Sequence, residues 1–320
     1  MDDLWVVLPH IGVGGAQKVG LLAAEHFAVQ GFKVRVLSLR HGHPIKHAIP
    51  DGVELLDLGP DVEGGGNRSL IARLRRFTNA QLIKLCRLLT LAGLQLTWRW
   101  CEHKVQPDAD AWVTRLLAWC MEGLGGLRYR RLRVLLQQQR PKRVLALLTK
   151  TNILCAAAVW DLPIHLVVSE RNDPRLQQLD RLWSRLRSVY YRRADVVTAN
   201  TEGVLDALQA MGPWKRLALL PNPLPGGLRL QDSHQPSHDQ REILAVARLV
   251  PQKGLDVLIR AFASLPPSVR DGWCVTLVGD GPERQTLEEL ASVAGLRDVV
   301  RFEGFRSDPL VFVRRASIFA

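Results

Sequence analysis

Two basic residues, Arg248 and Lys253, stand between a short apolar run and a segment with helical spacing. The run covers residues 242–247, and the helical pattern begins near residue 255. A strand followed by a helix is typical of parallel sheets, in which ligands bind beyond the carboxyl ends of the strands. The start of the helix adds a positive dipole end and free backbone N–H groups. Arg248 and Lys253 therefore suit a diphosphate, and a pair of ordinary surface cations is the alternative interpretation of this spacing.

Glycines mark three loops that follow predicted strands. The candidate residues in these loops are Gly14, Gly15, Gly279, Gly281, Glu303, Gly304 and Phe305. A loop that lacks Cβ atoms lets backbone N–H groups approach a phosphate closely. Taken alone, the stretch GVGG (12–15) fits either a phosphate site or a dinucleotide turn, although the full G-x-G-x-x-G motif is absent.

Polar residues also follow two predicted strands in the first half of the chain. Thr151 and Asn152 come after one of these strands, and Glu170 and Arg171 end another. Both pairs therefore stand where an open parallel sheet binds its ligands. For Glu170 and Arg171 two interpretations stay open, namely contact with a sugar or acceptor and a structural ion pair between the two side chains.

Two groups of residues resemble metal ligands in type but not in pattern. His41, His43 and His47 lie in a Pro-containing loop without a fixed helical spacing. Asp108 and Asp110 form a D-x-D after a proline, which is also typical of a helix start. The sequence contains no Ser-His-Asp or Cys-His signature of a hydrolase. We predict no metal site and no cofactor.

Strand and helix patterns alternate along most of the chain. In the first half the predicted strands are 6–8, 34–39, 53–58, 143–149, 164–170 and 195–200. In the second half they are 242–247, 274–278, 299–302 and a last one from residue 317, with helices at 255–265, 283–294 and 308–315. This alternation predicts an α/β fold with helices on both faces of a parallel sheet. The polar segment 226–240 predicts a linker between two domains.

The positive charge of the chain is concentrated in one segment. The 320 residues carry a formal charge of +12, and residues 67–143 hold 16 Lys or Arg against 4 Asp or Glu, which accounts for all of it. This segment also has basic helical patterns and several tryptophans. Basic amphipathic helices with aromatic residues rest on anionic bilayers. An ordinary solvated helical insertion at about 67–140 is the alternative interpretation.

Composition disfavours several other classes of protein. A hydrophobic content of 47% is typical of globular domains, and no apolar run is long enough to span a bilayer. The acidic start MDDLW does not fit a signal peptide. Five widely spaced cysteines without a C-x-x-C motif suit reduced thiols in the cytoplasm. No nucleic-acid-binding module is visible, so we predict no nucleic-acid partner.

The ordered motifs RL-x3-KG, VGDGP and FEGF in the second half resemble the donor-binding domain of glycosyltransferase family 4, the retaining GT-B enzymes. The motifs GVGGAQKV, SERNDPR and LLPNPLP in the first half are also similar to that family, within a subset that carries SERNDP. Gln17 replaces the usual Glu of the first motif. The resemblance covers most of the chain apart from roughly 67–140.

The resemblance implies a GT-B fold, in which two Rossmann-like domains face each other across a cleft. Residues 1–225 would form the acceptor-side domain, with the basic helical insertion at about 67–140. Residues 241–320 would form a partial nucleotide-sugar-binding domain. The family carries a Glu-x7-Glu element beyond the strand with which this sequence stops, so we expect the second domain to be incomplete.

The resemblance also implies an activity and roles for the candidate residues. Arg248 and Lys253 would neutralise the diphosphate of a nucleoside-diphosphate sugar, with UDP as the expected nucleotide, and the glycine loops with Glu303 and Phe305 would hold the nucleotide. Thr151, Asn152, Glu170 and Arg171 would lie on the acceptor side. A hexose or N-acetylhexosamine would pass, with retention, to a lipid-linked or polysaccharide acceptor.

Two departures from the family pattern bear on activity. Many members have a His after the strand equivalent to 143–149, where this chain has Thr149, Thr151 and Asn152. The Glu-x7-Glu element is missing, so a catalytically inactive GT-B protein or subunit is the alternative function. In either case we expect a cytoplasmic location, with peripheral contact to the inner face of the cytoplasmic membrane through residues 67–143.

Overall fold

The computed structural model forms two compact units, residues 1–225 and 226–320. It describes residues 2–12, 14–40, 47–58, 112–224, 241–306 and 308–320, together with residues 81, 85, 88, 89 and 92, and for 112–120 it describes the backbone alone. His41, His43, Asp108, Asp110, the segment 59–80 and the predicted linker 226–240 lie outside the described residues.

The first unit is built on a seven-stranded sheet in which every described pair of neighbouring strands is parallel. Its strands are β1 (Leu4–Leu8), β2 (Val34–Ser38), β3 (Val53–Asp57), β4 (Arg143–Leu147), β5 (His165–Glu170), β6 (Val196–Ala199) and β7 (Leu217–Leu219). The order across the sheet is β3-β2-β1-β4-β5-β6-β7. The chain therefore reverses its direction of travel across the sheet between β3 and β4, which is the kind of switch point where α/β sheets bind ligands.

Helices connect these strands. They are α1 (Gly15–Val29), α2 (Trp112–Gln139), α3 (Thr149–Ala158), α4 (Arg181–Tyr190) and α5 (Glu202–Gln209), with a 3₁₀ turn at Tyr191–Arg193. Local sequence explains several ends. Asp180 and Thr201 cap α4 and α5 by accepting bonds from backbone N–H groups. Gly31, at a φ of 85°, follows α1 in the left-handed conformation that glycine adopts at helix ends, as the sequence predicts.

Alternate residues of β1 build the two faces of the core. Trp5 and Val7 are fully buried in a cluster on one face of the sheet. Leu4, Val6 and Leu8 are buried in a second cluster, which includes residues of α1. Because successive side chains of a strand point to opposite faces, a strand that is apolar at every position requires cover on both faces.

Helix α2 belongs to the core of the first unit. Met121, Leu132 and Leu136 are fully buried in the same cluster as Trp5. The segment of about 67–140 that the sequence predicts as a helical insertion therefore ends in a helix that packs in the core, and its extent as an insertion stays a prediction. The physical reason is the crossover from β3 to β4, since a parallel connection needs an element that packs on the sheet. Gly126, at a φ of 60°, interrupts the helix geometry within α2.

The second unit has a four-stranded sheet of order β10-β9-β8-β11, again with parallel pairs. Its strands are β8 (Arg241–Val246), β9 (Trp273–Val278), β10 (Val300–Gly304) and β11 (Ile318–Phe319). Its helices are α6 (Leu255–Ser264), α7 (Pro267–Arg270), α8 (Arg284–Val293) and α9 (Leu310–Arg315), and a 3₁₀ turn covers Pro251–Lys253. Leu255, Ile259 and Phe262 form the buried stripe of α6.

The α/β class and the parallel pairing predicted from the alternating patterns are confirmed. Each strand predicted from the sequence overlaps a strand of the structure. The sequence patterns missed the short β7 and the one-turn helix α7, which are too short to show a period. Among the described residues, no helix is long and apolar enough to cross a membrane.

Membership of α2 in the core leads to a stability prediction. Leu132 is fully buried, whereas Val134, two residues further on, is 48% exposed. Leu132→Ala should lower the free energy of unfolding by about 2–5 kcal/mol because it opens a cavity. Val134→Ala, the matched control, should change it by less than about 0.5 kcal/mol. Urea denaturation measures both changes, and equal small effects would show that α2 does not pack on the sheet.

Candidate functional site

Arg248 and Lys253 lie on the loop that follows β8, at the carboxyl edge of the sheet of the second unit. Both side chains are exposed. No ion pair or side-chain hydrogen bond joins either of them to another residue in the part of the chain that the structure describes. Other arginines of this unit are paired, such as Arg260 with Asp256 at 2.8 Å. The two predicted cations are therefore available to an anionic ligand.

The backbone after Lys253 brings the start of α6 to the same loop. Gly254 adopts the left-handed conformation, with φ 63° and ψ 26°, and its N–H group donates to the carbonyl of Pro251. A left-handed residue turns the chain directly from the 3₁₀ turn into α6. The positive end of this ten-residue helix thus follows Lys253 without an intervening loop.

Gly279 and Gly281 allow two main-chain segments to pack directly against each other. A Cβ atom on Gly279 would lie 1.9 Å from the carbonyl oxygen of Ala247, and one on Gly281 would lie 2.3 Å from that of Leu249. The N–H group of Leu249 donates to the carbonyl of Asp280 at 3.1 Å. These glycines therefore hold the loop that carries Arg248. Their direct contact with a nucleotide stays a prediction.

A third loop, after β10, completes this edge of the sheet. The N–H group of Gly279 donates to the carbonyl of Gly304 at 2.8 Å. Gly304 has a φ of 70°, and Phe305, which follows it, is 40% exposed. Glu303 forms an ion pair with Arg306 at 2.7 Å. The predicted nucleotide residues Glu303, Gly304 and Phe305 thus share one turn, which backbone contacts join to the other two loops.

Arg284 belongs to this edge, although the sequence patterns did not single it out. Its guanidinium lies 5.9 Å from the ring centroid of Phe302 and donates to the carbonyl of the same residue at 3.3 Å. Its Nη1 would lie 3.6 Å from a Cβ atom on Gly304. Arg284 begins α8, about 20 residues before the turn that it contacts, so no local spacing indicates the contact.

In the first unit, the predicted loop with Gly14 and Gly15 follows β1. The backbone of Gly14 is extended, and a Cβ atom there would lie 2.1 Å from Oε1 of Gln17. Gln17 is buried, and its Nε2 lies 3.3 Å from Nε2 of His10. His10 Nδ1 in turn accepts a hydrogen bond from the N–H group of Gly12 at 3.1 Å. Gln17 and His10 thus contact the glycine loop and support its conformation.

His47 lies beside the same loop. Burial and the charge of Lys18 lower the pKa of His47, and a hydrogen bond with the backbone of Gly14 partly offsets this shift. Among the described residues no group of three His, Cys, Asp or Glu side chains is placed to hold a metal ion. The sequence pattern around His47 resembles only a metal ligand set, and no pattern singles out His10. The hydrogen bond between Gly12 and His10 spans two residues in a loop, and no sequence spacing rule predicts such a contact.

Glu170 is the centre of a buried polar network at the carboxyl ends of β4 and β5. Thr149 Oγ1 donates to its Oε2 at 2.9 Å, and the hydroxyl of Tyr191 donates to its Oε1 at 2.5 Å. Asn152 Nδ2 donates to the carbonyl of Ser169 at 3.0 Å and to the Tyr191 hydroxyl at 2.8 Å. All five residues are buried. Thr151, the other predicted polar residue of α3, is buried as well.

A buried arginine accompanies Glu170. Arg187 Nη1 lies 3.9 Å from Glu170 Oε1 and donates to Oε1 of Gln177 at 3.0 Å. Burial raises the pKa of Glu170, and the Tyr191 hydrogen bond, the Arg187 charge and the Thr149 hydrogen bond partly offset that rise. Glu170 and Asn152 are therefore engaged inside the unit, and any contact of theirs with an acceptor stays a prediction.

Arg171 does not form the ion pair with Glu170 that the sequence left open. Its Nη1 donates instead to Asn222 Oδ1 at 2.7 Å and to the carbonyl of Leu220 at 3.3 Å. The ion pair of Glu170 is made with Arg187, which sequence reasoning missed because it lies 17 residues away on α4. The two neighbours Glu170 and Arg171 thus have opposite surroundings, one inside the core and one at the edge.

Comparison with known proteins connects the second unit to a family of enzymes. Residues 229–320 match the family model described as glycosyl transferases group 1. These residues include Arg248, Lys253 and both glycine loops of the second unit. The second unit thus carries a glycosyl transferases group 1 domain.

Several relatives of the chain are glycosyltransferases by name. The chain is 31% identical over 137 residues to the lipopolysaccharide core biosynthesis glycosyltransferase LpsE of Rhizobium meliloti, a match that covers 42% of this chain and 38% of LpsE. It is 27% identical over 167 residues to an α-1,4-N-acetyl-D-galactosaminyltransferase of Campylobacter jejuni, whose name specifies a diNAcBac-PP-undecaprenol glycan, over 52% of this chain and 45% of that protein. These matches span less than half of the relatives' lengths.

Solved structures show the fold of the chain. HepE of Anabaena, determined in complex with UDP and glucose, superposes with a TM-score of 0.61 at 17% identity and covers 100% of this chain and 73% of HepE. The α/β fold with parallel sheets is that of the GT-B glycosyltransferases, as the sequence resemblance implied.

The close packing at Gly279 can be tested by substitution. Gly279→Ala should lower the free energy of unfolding by about 3 kcal/mol or more, because the new methyl group overlaps the Ala247 carbonyl and the loop must shift. Gly295→Ala is the control. Gly295 also has a positive φ, 69°, but nothing lies within 4 Å of its Cβ position, so only the backbone cost of about 1–2 kcal/mol applies. Equal losses in urea denaturation would contradict the packing role.

The raised pKa of Glu170 predicts a pH dependence of stability. The folded protein holds this proton to higher pH than the unfolded chain, whose Glu pKa is about 4.3. The contribution of Glu170 to stability is therefore largest below that pKa and decreases as the pH rises toward the folded-state pKa. Urea denaturation of the native protein and of Glu170→Gln between about pH 4 and 7 measures the difference. A native protein that gains stability over the variant with rising pH would contradict burial as the dominant effect.

Proposed function

We propose that the protein is a retaining glycosyltransferase, which moves a hexosyl or N-acetylhexosaminyl group from a UDP-sugar to a lipid-linked or polysaccharide acceptor. The observation that carries this proposal is the pair of exposed cations, Arg248 and Lys253, at the carboxyl edge of a sheet and next to the start of α6, where no described residue pairs with them. The residues matched by the glycosyl transferases group 1 model include both of them.

These two cations supply the chemistry that the transfer needs. When the bond between sugar and diphosphate breaks, negative charge develops on the leaving phosphate. Arg248 and Lys253 stabilise that charge, and the positive end of α6 adds to their field. The acceptor hydroxyl then enters on the face that the diphosphate leaves and gives its proton to the departing phosphate oxygen, so the configuration at the anomeric carbon is retained. No side chain needs to form a covalent bond with the sugar.

The turn with Glu303, Gly304 and Phe305 is the proposed site for the nucleoside. Phe305 offers an exposed ring next to a glycine without a side chain, and Glu303 offers carboxylate oxygens to hydroxyl groups. Uridine as the base is supported by the structural likeness to HepE, which was solved with UDP.

A lipid-linked acceptor at an anionic membrane surface is supported by two further observations. The names of LpsE and of the Campylobacter relative specify lipopolysaccharide and an undecaprenol-linked glycan. In this chain, Leu85, Leu88 and Leu89 are helical and 51%, 66% and 39% exposed, within the segment 67–143 that holds the excess positive charge. Their spacing puts them on one helix face, as in helices that rest on bilayers. We place the reaction at the inner face of the cytoplasmic membrane.

The double variant Arg248→Ala/Lys253→Ala tests the proposed function. It should bind UDP about a hundredfold more weakly in calorimetry, because each cation contributes about one charge-assisted hydrogen bond and 1.4 kcal/mol is a factor of ten. Transfer of sugar from UDP-glucose or UDP-N-acetylglucosamine to lipid extracts of the source cell should be lost.

Arg297→Ala/Arg301→Ala is the matched control. It removes the same charge from two exposed positions, one shortly before β10 and one within it, away from the carboxyl edge. The control should bind UDP and transfer sugar as the native protein does. Native UDP affinity or transfer by the Arg248/Lys253 variant would overturn the proposal.

A further inference from the structure

Two arginines near Glu170 differ in how their charge is compensated. Arg187 is buried and lies 3.9 Å from the Glu170 carboxylate. Arg171 is partly buried, and in the described part of the chain no carboxylate is paired with it. Both of its recorded acceptors, the Leu220 carbonyl and the Asn222 amide oxygen, are neutral. The edge of the first unit therefore holds a fixed guanidinium whose charge no described carboxylate compensates.

The side chain of Arg171 reaches across the end of β6. Arg171 follows β5, whereas Leu220 and Asn222 follow β7, and β6 lies between these two strands. Two hydrogen bonds from one Nη atom fix the direction of the side chain. Its Nε atom is buried and has no partner among the described residues.

Asn200 stands next to Arg171 at this edge. Glu170 of β5 and Ala199 of β6 are paired in the sheet, so Arg171 and Asn200 occupy the next register position on neighbouring strands. The Oδ1 atom of Asn200 is also buried and without a partner among the described residues. The same edge therefore presents an unsatisfied donor on Arg171 and an unsatisfied acceptor on Asn200.

The chemistry of a guanidinium and of an amide oxygen limits which ligand groups could bind Arg171 and Asn200 together. A partly buried cation without a counter-charge is unfavourable in the free protein, and removing such a charge often costs no stability. A guanidinium binds phosphate or carboxylate oxygens in a planar, bidentate geometry. An amide oxygen accepts a hydrogen bond from a hydroxyl group and disfavours an anionic oxygen. The two residues together suit an anionic group with a hydroxyl group beside it.

We propose that Arg171 and Asn200 form an acceptor subsite for a sugar that carries a phosphate or carboxylate next to a free hydroxyl. Arg171 binds the anionic group, Asn200 accepts a hydrogen bond from the hydroxyl group, and Asn222 holds Arg171 in position. This inference rests on the proposed function, and it specifies that the acceptor is an anionic glycan. The pKa of Arg171, which burial lowers, agrees with a guanidinium that lacks a counter-charge.

Binding is measured by titration of glucose 6-phosphate into the Arg248→Ala/Lys253→Ala variant, in which the proposed donor site is removed. Glucose 6-phosphate should bind, and glucose should not. Inorganic sulfate, which has no hydroxyl, should bind at least tenfold more weakly than the sugar phosphate. Adding Arg171→Met should lower the affinity for glucose 6-phosphate at least tenfold. Arg175→Met is the control, because Arg175 is exposed on the same loop and already paired with Asp173 at 2.6 Å.

Thermal stability distinguishes this subsite from a structural role of Arg171. Arg171→Met should leave the melting temperature unchanged or raise it, since the charge that it removes has no counter-charge. Arg187→Met should lower the melting temperature, since it leaves Glu170 buried without its cation.

Three results would overturn the subsite: no binding of glucose 6-phosphate, native affinity in Arg171→Met, or a lower melting temperature of Arg171→Met with unchanged binding. Sulfate that binds as tightly as glucose 6-phosphate would overturn the role of Asn200. Titration of UDP into the native protein distinguishes failure of the subsite from failure of the proposed glycosyltransferase function. UDP binding without sugar phosphate binding rejects the subsite alone, whereas the absence of UDP binding rejects the glycosyltransferase proposal.

Discussion

The arrangement of the second unit depends on the packing of one main-chain segment against another. The backbone of 279–281 touches the backbone of 247–249 so closely that any Cβ atom on Gly279 or Gly281 would overlap a carbonyl oxygen. The N–H group of Gly279 in the same segment donates a hydrogen bond to the carbonyl of Gly304. Three loops from three strands are thereby joined at one edge of the sheet. Because main-chain contacts join these loops, the side chains of Arg248 and Lys253 are not needed to hold them, and no described residue pairs with either cation.

In the first unit, side-chain contacts join the ends of the strands. There, buried polar side chains are hydrogen-bonded to one another around Glu170, with Arg187 as its counter-charge, although Oδ1 of Asn152 and Nε of Arg187 have no partner among the described residues. A buried carboxylate that is hydrogen-bonded from several elements fixes the ends of β4 and β5 relative to α4. Arg171, the next residue along the chain, turns away from this network toward the end of β7. Arg187, whose charge is paired with Glu170, is therefore a structural group. Arg171, with which no described carboxylate is paired, is a candidate ligand-binding group.

Much of this fold could be predicted from local sequence, because alternating apolar runs and helical patterns report on burial one segment at a time. Arg248 and Lys253 were also accessible, since a cation between a strand and a helix implies a position at the sheet edge. The extent of α2 could not be predicted, because a basic helix on the surface and a basic helix with a buried apolar stripe have similar compositions. The partners of Glu170 and of Arg171 were missed because Arg187, Tyr191 and Asn222 are distant in sequence and meet them only in the folded chain. The position of Gln17 beneath the glycine loop depends likewise on the tertiary position of His10.

The central claim is that Arg248 and Lys253 receive the diphosphate of a nucleotide sugar. A crystal structure of the protein grown with UDP tests it most directly. The account predicts phosphate oxygens within hydrogen-bond distance of both side chains, with the uridine against the turn of Glu303 to Phe305. A diphosphate bound elsewhere, with Arg248 and Lys253 still facing solvent, would contradict it.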